Sequence, residues 1–336
     1  RWLLSRHQAR RRAWGKSLAM IAGIDPGYPD YDQVLSAAGE AFAAWIAERS
    51  AAGEPTDSLE AQADAFFRRY LPETNVDPVA WDPVSRAAAV AVARLRLAAD
   101  VGSMRGVEAM LTSATAGLAP EAPSHDAAYA LLALAQARQG HVRDALASLR
   151  AVRDESTAPL LELLSELERT DAAPESAHLA LAELRLQTAE RLSARADELD
   201  DSERLRVELA QARALADAAM TDPAKLRKAL AAYASLATRY PQDATVHREQ
   251  AEIYVRLGDP TSLASALKKW RYVERKSPAG SDDWFRAKYY LALVHGRLGN
   301  VERGRDIVAL TRALHPDLGG AEWQRRFDDL LASELR

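Results

Sequence analysis

The stretch that decides the fold spans residues 284–316 and reads WFRAKYYLALVHGRLGNVERGRDIVALTRALHP. Its apolar residues recur at the spacing of one helix face on both sides of Leu298-Gly299-Asn300. A glycine at this point suits a left-handed turn at a helix end, and Pro316 follows the second helix. The stretch therefore predicts one hairpin of two helices.

The same spacing recurs, less cleanly, earlier in the chain. A second copy turns at residues 257–259 and closes at Pro278. Residues 229–241 repeat the second-helix half, and another copy turns at Gln139-Gly140. Recurrence at a fixed spacing predicts a stack of hairpins, in which each unit covers the hydrophobic face of the next.

These positions resemble the tetratricopeptide repeat (TPR), a unit of about 34 residues made of two antiparallel helices. Small residues such as Ala251 let the first helix approach its partner, and large ones such as Trp270 fill the groove between units. The resemblance covers residues 210–316 well and 125–157 fairly, and Gly304 departs from it where alanine is usual. It implies an all-α fold, an α-solenoid of TPR-like hairpins with an N-terminal helical region.

The same patterns predict a division of the chain into five parts. These are a basic segment (1–24), an N-terminal helical region (25–101), degenerate hairpins (102–209), the TPR-like array (210–318) and a capping helix (319–336). The long helical stretch within the third part is predicted to run from Pro174 to about Leu199. The last part has apolar residues on one face, as expected of a helix that covers the end of an array.

Composition agrees with a folded helical protein and excludes several chemistries. Hydrophobic residues make up 48% of the 336 residues, and Ala and Leu, both good helix formers, dominate them. The net charge of −4 gives no support for nucleic-acid binding. The absence of cysteine excludes disulfides, thiolate metal sites and cysteine nucleophiles.

The N-terminal segment is strongly basic. It carries six positive charges before the first acid, Asp25, which leaves 38 basic against 48 acidic residues in the remainder. One interpretation is a solvated basic helix that packs Trp2, Leu3 and Trp14 on the body. A second is the flank of a membrane helix preceding Arg1, which would place the body at the cytoplasmic face of a membrane. A third interpretation is a cleaved signal peptide, and with it the body would lie in the periplasm.

No motif in the sequence indicates catalysis, a cofactor or a metal. Gly15-Lys16-Ser17 imitates the end of a phosphate loop, but the glycine required five residues earlier is Arg10. No pair of histidines has the spacing of a zinc-protease helix, and no Gly-x-Ser-x-Gly elbow is present. The acidic run Asp197–Glu203 lacks the spacing of a calcium loop and is interpreted as a solvated linker.

Candidate partner-binding residues follow from the TPR resemblance, in which first helices line a groove that takes an extended peptide or a helix. The outward positions of two successive first helices are Arg248, Glu252, Arg256, Arg286, Tyr289, Leu293 and Arg297. Arginine and an aromatic residue suit an acidic or C-terminal-carboxylate peptide. The alternative is that these arginines only solubilise the surface. The Lys/Asn clamp of chaperone-binding members is absent, because Glu252 stands where its asparagine is needed.

The predicted function is accordingly a non-enzymatic scaffold or adaptor of a multiprotein assembly, which the membrane-flank interpretation of the basic segment would place at a membrane. One alternative is an obligate structural subunit of a larger machine, with flat hydrophobic contacts. Another is a regulatory accessory subunit of an enzyme whose catalytic site lies on a different chain.

Overall fold

A computed structural model describes residues 1–72, 76–99, 103–170, 175–219 and 223–336. These residues form seventeen α-helices and two short 3-10 helices, and none of them lies in a strand. The predicted all-α fold is confirmed. The chain divides into two compact units, Arg1–Ala196 and Asp197–Arg336.

The first unit contains ten α-helices among the described residues. They are α1 (Trp2–Arg10), α2 (Trp14–Ala22), α3 (Tyr31–Ala51), α4 (Asp57–Arg68), α5 (Pro83–Ala99), α6 (Met104–Thr115), α7 (His125–Arg138), α8 (Val142–Ala151), α9 (Thr157–Arg169) and α10 (Glu175–Ser193), with a 3-10 turn at Pro78–Ala80. Helices α5 to α8 pack in chain order, but α10 contacts α7, α8 and α9 together. The end of α10 at Ser193 is earlier than predicted, and its predicted start at Pro174 lies outside the described residues.

One hydrophobic cluster of the first unit lies around α3 and α5, where the two helices approach closely. Gly39 of α3 makes this approach possible, because a Cβ atom there would lie only 2.7 Å from the Cβ atom of Ala91. Val34, Leu35 and Phe42 of α3 are buried in the same hydrophobic cluster as Ala91. Small residues thus set the distance between the helices, and large residues fill the space beside them.

Helices α1 and α2 pack on each other and on α3, and the Ser17 hydroxyl donates a hydrogen bond to the Ser5 carbonyl over 2.9 Å. Trp2 and Trp14 are half-buried, as the packed-helix interpretation expects, but Leu3 is 79% exposed and does not pack on the body. Gly15-Lys16-Ser17 lies within α2, so it is not a phosphate-binding loop. None of the helices in the described ranges has the length and apolar character needed to cross a bilayer.

The second unit is a succession of hairpins followed by one helix. Its helices are α11 (Asp201–Asp217), α12 (Pro223–Arg239), α13 (Ala244–Leu257), α14 (Pro260–Lys276), α15 (Asp282–Arg297), α16 (Val301–Leu314) and α17 (Ala321–Ser333). From α11 to α16 each helix contacts the next, as in an α-solenoid. The hairpins predicted from the repeat are confirmed in this unit.

Two of its turns have the local chemistry that the sequence predicts. Gly258 and Gly299 have φ angles of 74° and 80°, a left-handed conformation that favours glycine. The Asp259 side chain then caps α14 by accepting hydrogen bonds from the backbone N–H groups of Thr261 and Ser262.

Helix α17 covers the end of the array. Trp323, Phe327 and Leu330 are buried against α15, and Leu335 follows them into the core. Gly304 makes room for this contact, because a Cβ atom there would lie 2.5 Å from the Leu335 Cδ2 atom. The departure from the repeat pattern at this position therefore has a steric cause.

The compact units and the predicted parts have different boundaries. The predicted boundary at 209/210 falls inside α11, and the one at 101/102 lies outside the described residues. Helix α11 starts at a capping box, in which Asp200 accepts from the Glu203 N–H (2.8 Å) and Glu203 accepts from the Asp200 N–H (3.0 Å). Part of the acidic run interpreted as a linker therefore begins a helix.

Candidate functional site

The predicted partner-binding residues lie on α13 and α15, the first helices of two successive hairpins. Arg248, Glu252 and Arg256 are spaced four residues apart, so they lie along one face of α13. We call this surface, with its counterparts on α15, the α13–α15 face. Its arginines do not stand alone, because acidic side chains that the sequence analysis did not select lie among them.

Arg248 is paired across the two helices. Its Nη1 atom lies 2.6 Å from Oδ1 of Asp283, and its Nη2 atom lies 3.6 Å from Oε1 of Glu249. Partial burial lowers the pKa of Arg248, but the hydrogen bond and charge of Asp283 outweigh that effect and raise it. The guanidinium is therefore held by the protein itself.

Arg286 makes the corresponding pairs from α15. It lies 3.7 Å from Glu252 and 3.4 Å from Asp282. Burial raises the pKa of Glu252, and the charge of Arg286 offsets only part of the rise. The face thus carries paired positive and negative charges.

The network extends towards α11 and α12 through Glu249. Arg213 holds this carboxylate with two hydrogen bonds of 2.6 and 3.0 Å, and the Tyr233 hydroxyl donates a third over 3.0 Å. Burial, followed by the charge of Glu249, raises the pKa of Tyr233 well above its usual value, so the phenol remains a donor. No sequence motif marks Glu249, because its hydrogen-bond partners Arg213 and Tyr233 come from other helices.

Arg256 and Arg297 both donate hydrogen bonds to backbone carbonyl groups. Arg256 donates to the carbonyl of Ala216 over 2.9 Å. Arg297 donates to the carbonyl of Val255 over 3.4 Å and pairs with the Glu334 carboxylate at 3.1 Å. These two arginines link neighbouring helices, so substituting either one would also alter packing.

The two remaining residues of the predicted set differ from each other in exposure. Tyr289 is half-buried, and its ring centroid lies 5.8 Å from that of Phe327 and 6.1 Å from that of Trp323. Leu293 is only 6% exposed and belongs to the core, so its predicted outward position is wrong. The helical spacing placed it correctly on α15, but packing within the core cluster buries its side chain.

Two histidines of the first helices α13 and α15 have distinct surroundings. His247 lies 3.0 Å from the Pro241 carbonyl through Nε2 and 2.9 Å from the Lys269 ammonium through Nδ1. His295 is buried, and its Nδ1 atom has no hydrogen-bond partner among the residues that the structure describes. Within the described residues, no group of three or more His, Cys, Asp or Glu side chains is arranged to hold a metal ion.

No family model matches this chain, and no curated protein matches it. Among solved structures, a chain in "Structure of Naa15/Naa10 bound to HypK-THB" is similar, with 13% sequence identity and a TM-score of 0.41. The similarity covers 96% of the present chain, which spans 58% of the length of that chain.

Proposed function

We propose that the chain is a non-enzymatic scaffold or adaptor that binds partner proteins through the α13–α15 face. The observation that supports this proposal is the row of half-buried arginine, glutamate and tyrosine side chains on the first helices of successive hairpins. Stacked hairpins place such helices side by side, so their faces form one extended surface. A surface of this kind suits an extended peptide or a helix.

The ion pairs of the face define what a partner has to offer. An acidic or C-terminal-carboxylate peptide would compete with Asp283 for Arg248 and with Glu252 for Arg286. Bidentate hydrogen bonds to arginine compensate for the loss of such partly exposed pairs. We therefore expect the partner to carry a carboxylate that binds the arginine. We also expect it to carry a hydrogen-bond donor for Asp283 or Glu252, whichever carboxylate is displaced.

Affinity purification of the tagged chain with the double substitution Arg248→Ala/Arg286→Ala tests this function. Among the described residues these two arginines pair with side chains only, whereas Arg256 and Arg297 also donate to backbone carbonyls. We expect the partners recovered with the unmodified chain to be lost, with helical content unchanged by circular dichroism.

Arg227→Ala/Arg325→Ala is the matched control, because these arginines are exposed on α12 and α17. It should recover the same partners as the unmodified chain. Equal recovery with the α13–α15 variant would refute the proposed face. Size-exclusion chromatography of the isolated chain distinguishes the alternative, since an obligate structural subunit should aggregate without its assembly.

A further inference from the structure

A second candidate surface lies within the second unit, where α14, α15 and α16 enclose a pocket of about 170 Å³. Its polar lining residues are Arg271, Glu274, Lys288, His295, Arg303 and Asp306. On α15, the pocket residues Lys288, Leu291 and His295 occupy the side of the helix opposite to the α13–α15 face. Residues two positions apart, such as His295 and Arg297, point about 200° apart on a helix.

The cations of this pocket differ from those of the α13–α15 face. Lys288 is paired with Glu274. Among the residues that the structure describes, no carboxylate forms an ion pair with Arg271 or Arg303, although Asp306 also lines the pocket. Both arginines are exposed, so their guanidinium groups are accessible to an anion from outside.

His295 lines the same pocket as these arginines and has an incomplete set of hydrogen bonds. Its side chain lines the pocket and the residue is 9% exposed. Its Nδ1 atom is buried and has no hydrogen-bond partner among the described residues, so Nε2 is the nitrogen that a ligand in the pocket can reach. Burial lowers the pKa of His295, and the charges of Arg271 and Arg303 lower it further. The imidazole is therefore neutral near neutral pH, with one nitrogen able to donate a hydrogen bond. Positive potential and an available donor converge on the same small volume.

An apolar stripe continues from the pocket along α16. Ile307, Leu310 and Leu314 follow Arg303 at helical spacing, and the two leucines are 57% and 60% exposed. Leu310 itself lines the pocket. From Arg303 to the leucines the helix rises about 10–16 Å. Large leucine side chains this exposed, next to a polar pocket, are typical of a contact surface.

We propose that the pocket and this stripe form a docking site for a partner-protein segment that carries a carboxylate and, about 10–16 Å away, leucine-like side chains. The carboxylate would lie between Arg271 and Arg303 and accept a hydrogen bond from His295. The apolar side chains would cover Leu310 and Leu314. This inference rests on the proposed scaffold function. It places a carboxylate of the partner protein at Arg271 and Arg303, which form no ion pair with a carboxylate of the described residues.

The probe is a synthetic helical peptide of about twelve residues, a length that matches the stripe. It is acetylated and amidated, with glutamates in its first turn and leucines in its last. The readout is the pair of imidazole ¹⁵N resonances of His295 in the full chain, assigned with His295→Gln. We expect these resonances to shift as the peptide is titrated to millimolar concentration. The same peptide with glutamine in place of glutamate should bind at least about tenfold more weakly.

The chain variant Arg271→Gln/Arg303→Gln should bind the glutamate peptide more weakly by a similar factor, and Arg227→Gln should bind it as tightly as the unmodified chain. Unshifted His295 resonances at millimolar peptide would overturn the proposal, as would equal affinity for the two peptides. A dimer that forms with increasing concentration and is lost in Leu310→Asn/Leu314→Asn would overturn it in favour of a second copy of this chain. Recovery of partners by affinity purification is independent of these results, so the pocket can fail while the scaffold function stands.

Discussion

The indole of Trp270 in α14 stacks on the phenol ring of Tyr290 in α15, with ring centroids 4.5 Å apart and ring planes within 8° of parallel. Trp270 is completely buried, and this contact joins two successive hairpins. We expect Trp270→Ala to lower the free energy of unfolding by about 3–5 kcal/mol, because a large cavity replaces the ring. Urea unfolding followed by circular dichroism measures the change. Trp270→Phe should lose less, and equal losses would show that the ring is not packed as described.

Gly304 provides a test of how tightly the capping segment is packed. Alanine favours a helix over glycine by about 1 kcal/mol, but a Cβ atom at this position would lie 2.9 Å from the Ala292 carbonyl oxygen. We expect Gly304→Ala to lower the melting temperature, because overpacking costs about 1–3 kcal/mol. Gly106→Ala in α6 is the control with the opposite sign, since its new Cβ atom meets nothing nearer than 3.9 Å. Stabilisation by both substitutions would contradict the packing of Leu335.

Asp126 makes the stability of the first unit depend on pH. Burial alone would raise its pKa, but hydrogen bonds from Arg153, Ser156 and His125 outweigh burial and hold the pKa well below its usual value. A carboxyl with a depressed pKa stabilises the folded state above its unfolded pKa of about 3.9. That contribution is lost as the pH falls from there through the folded value.

We therefore expect Asp126→Asn to lower the free energy of unfolding by about 2 kcal/mol at neutral pH. The free energy of unfolding of this variant should also depend less on pH in the acid range. Chemical unfolding at a series of pH values from neutral to acid measures both effects. If the variant loses stability in acid as the unmodified chain does, other carboxyl groups cause that loss.

Arg248 and Asp283 form a pair that should matter more for recognition than for folding. Because both side chains are partly exposed, a double-mutant cycle with Arg248→Ala and Asp283→Ala should give a coupling of only about 0.5 kcal/mol. The cycle is measured by urea unfolding. A coupling of several kcal/mol would instead show that the pair stabilises the fold, and it would contradict a main role in binding a partner.

The hairpins could be predicted from the sequence because their causes are local. A helix pattern, a glycine with positive φ and an acidic cap occur within a few residues of each other, as at Gly258 and Asp259. The candidate site could be predicted only in part. Helical spacing placed Arg248 and Arg286 on one surface, but the pair between Arg248 and Asp283 joins two helices and leaves no pattern along the chain.

The sequence by itself determined that the chain is helical, where the hairpins of the second unit turn, and that a final amphipathic helix follows them. Only the tertiary structure decided which arginines are already paired, that Leu293 is enclosed, and that His295 meets Arg271 and Arg303 at one pocket. The physical reason is range. Backbone conformation depends on near neighbours along the chain, whereas burial and electrostatics depend on side chains brought together by packing.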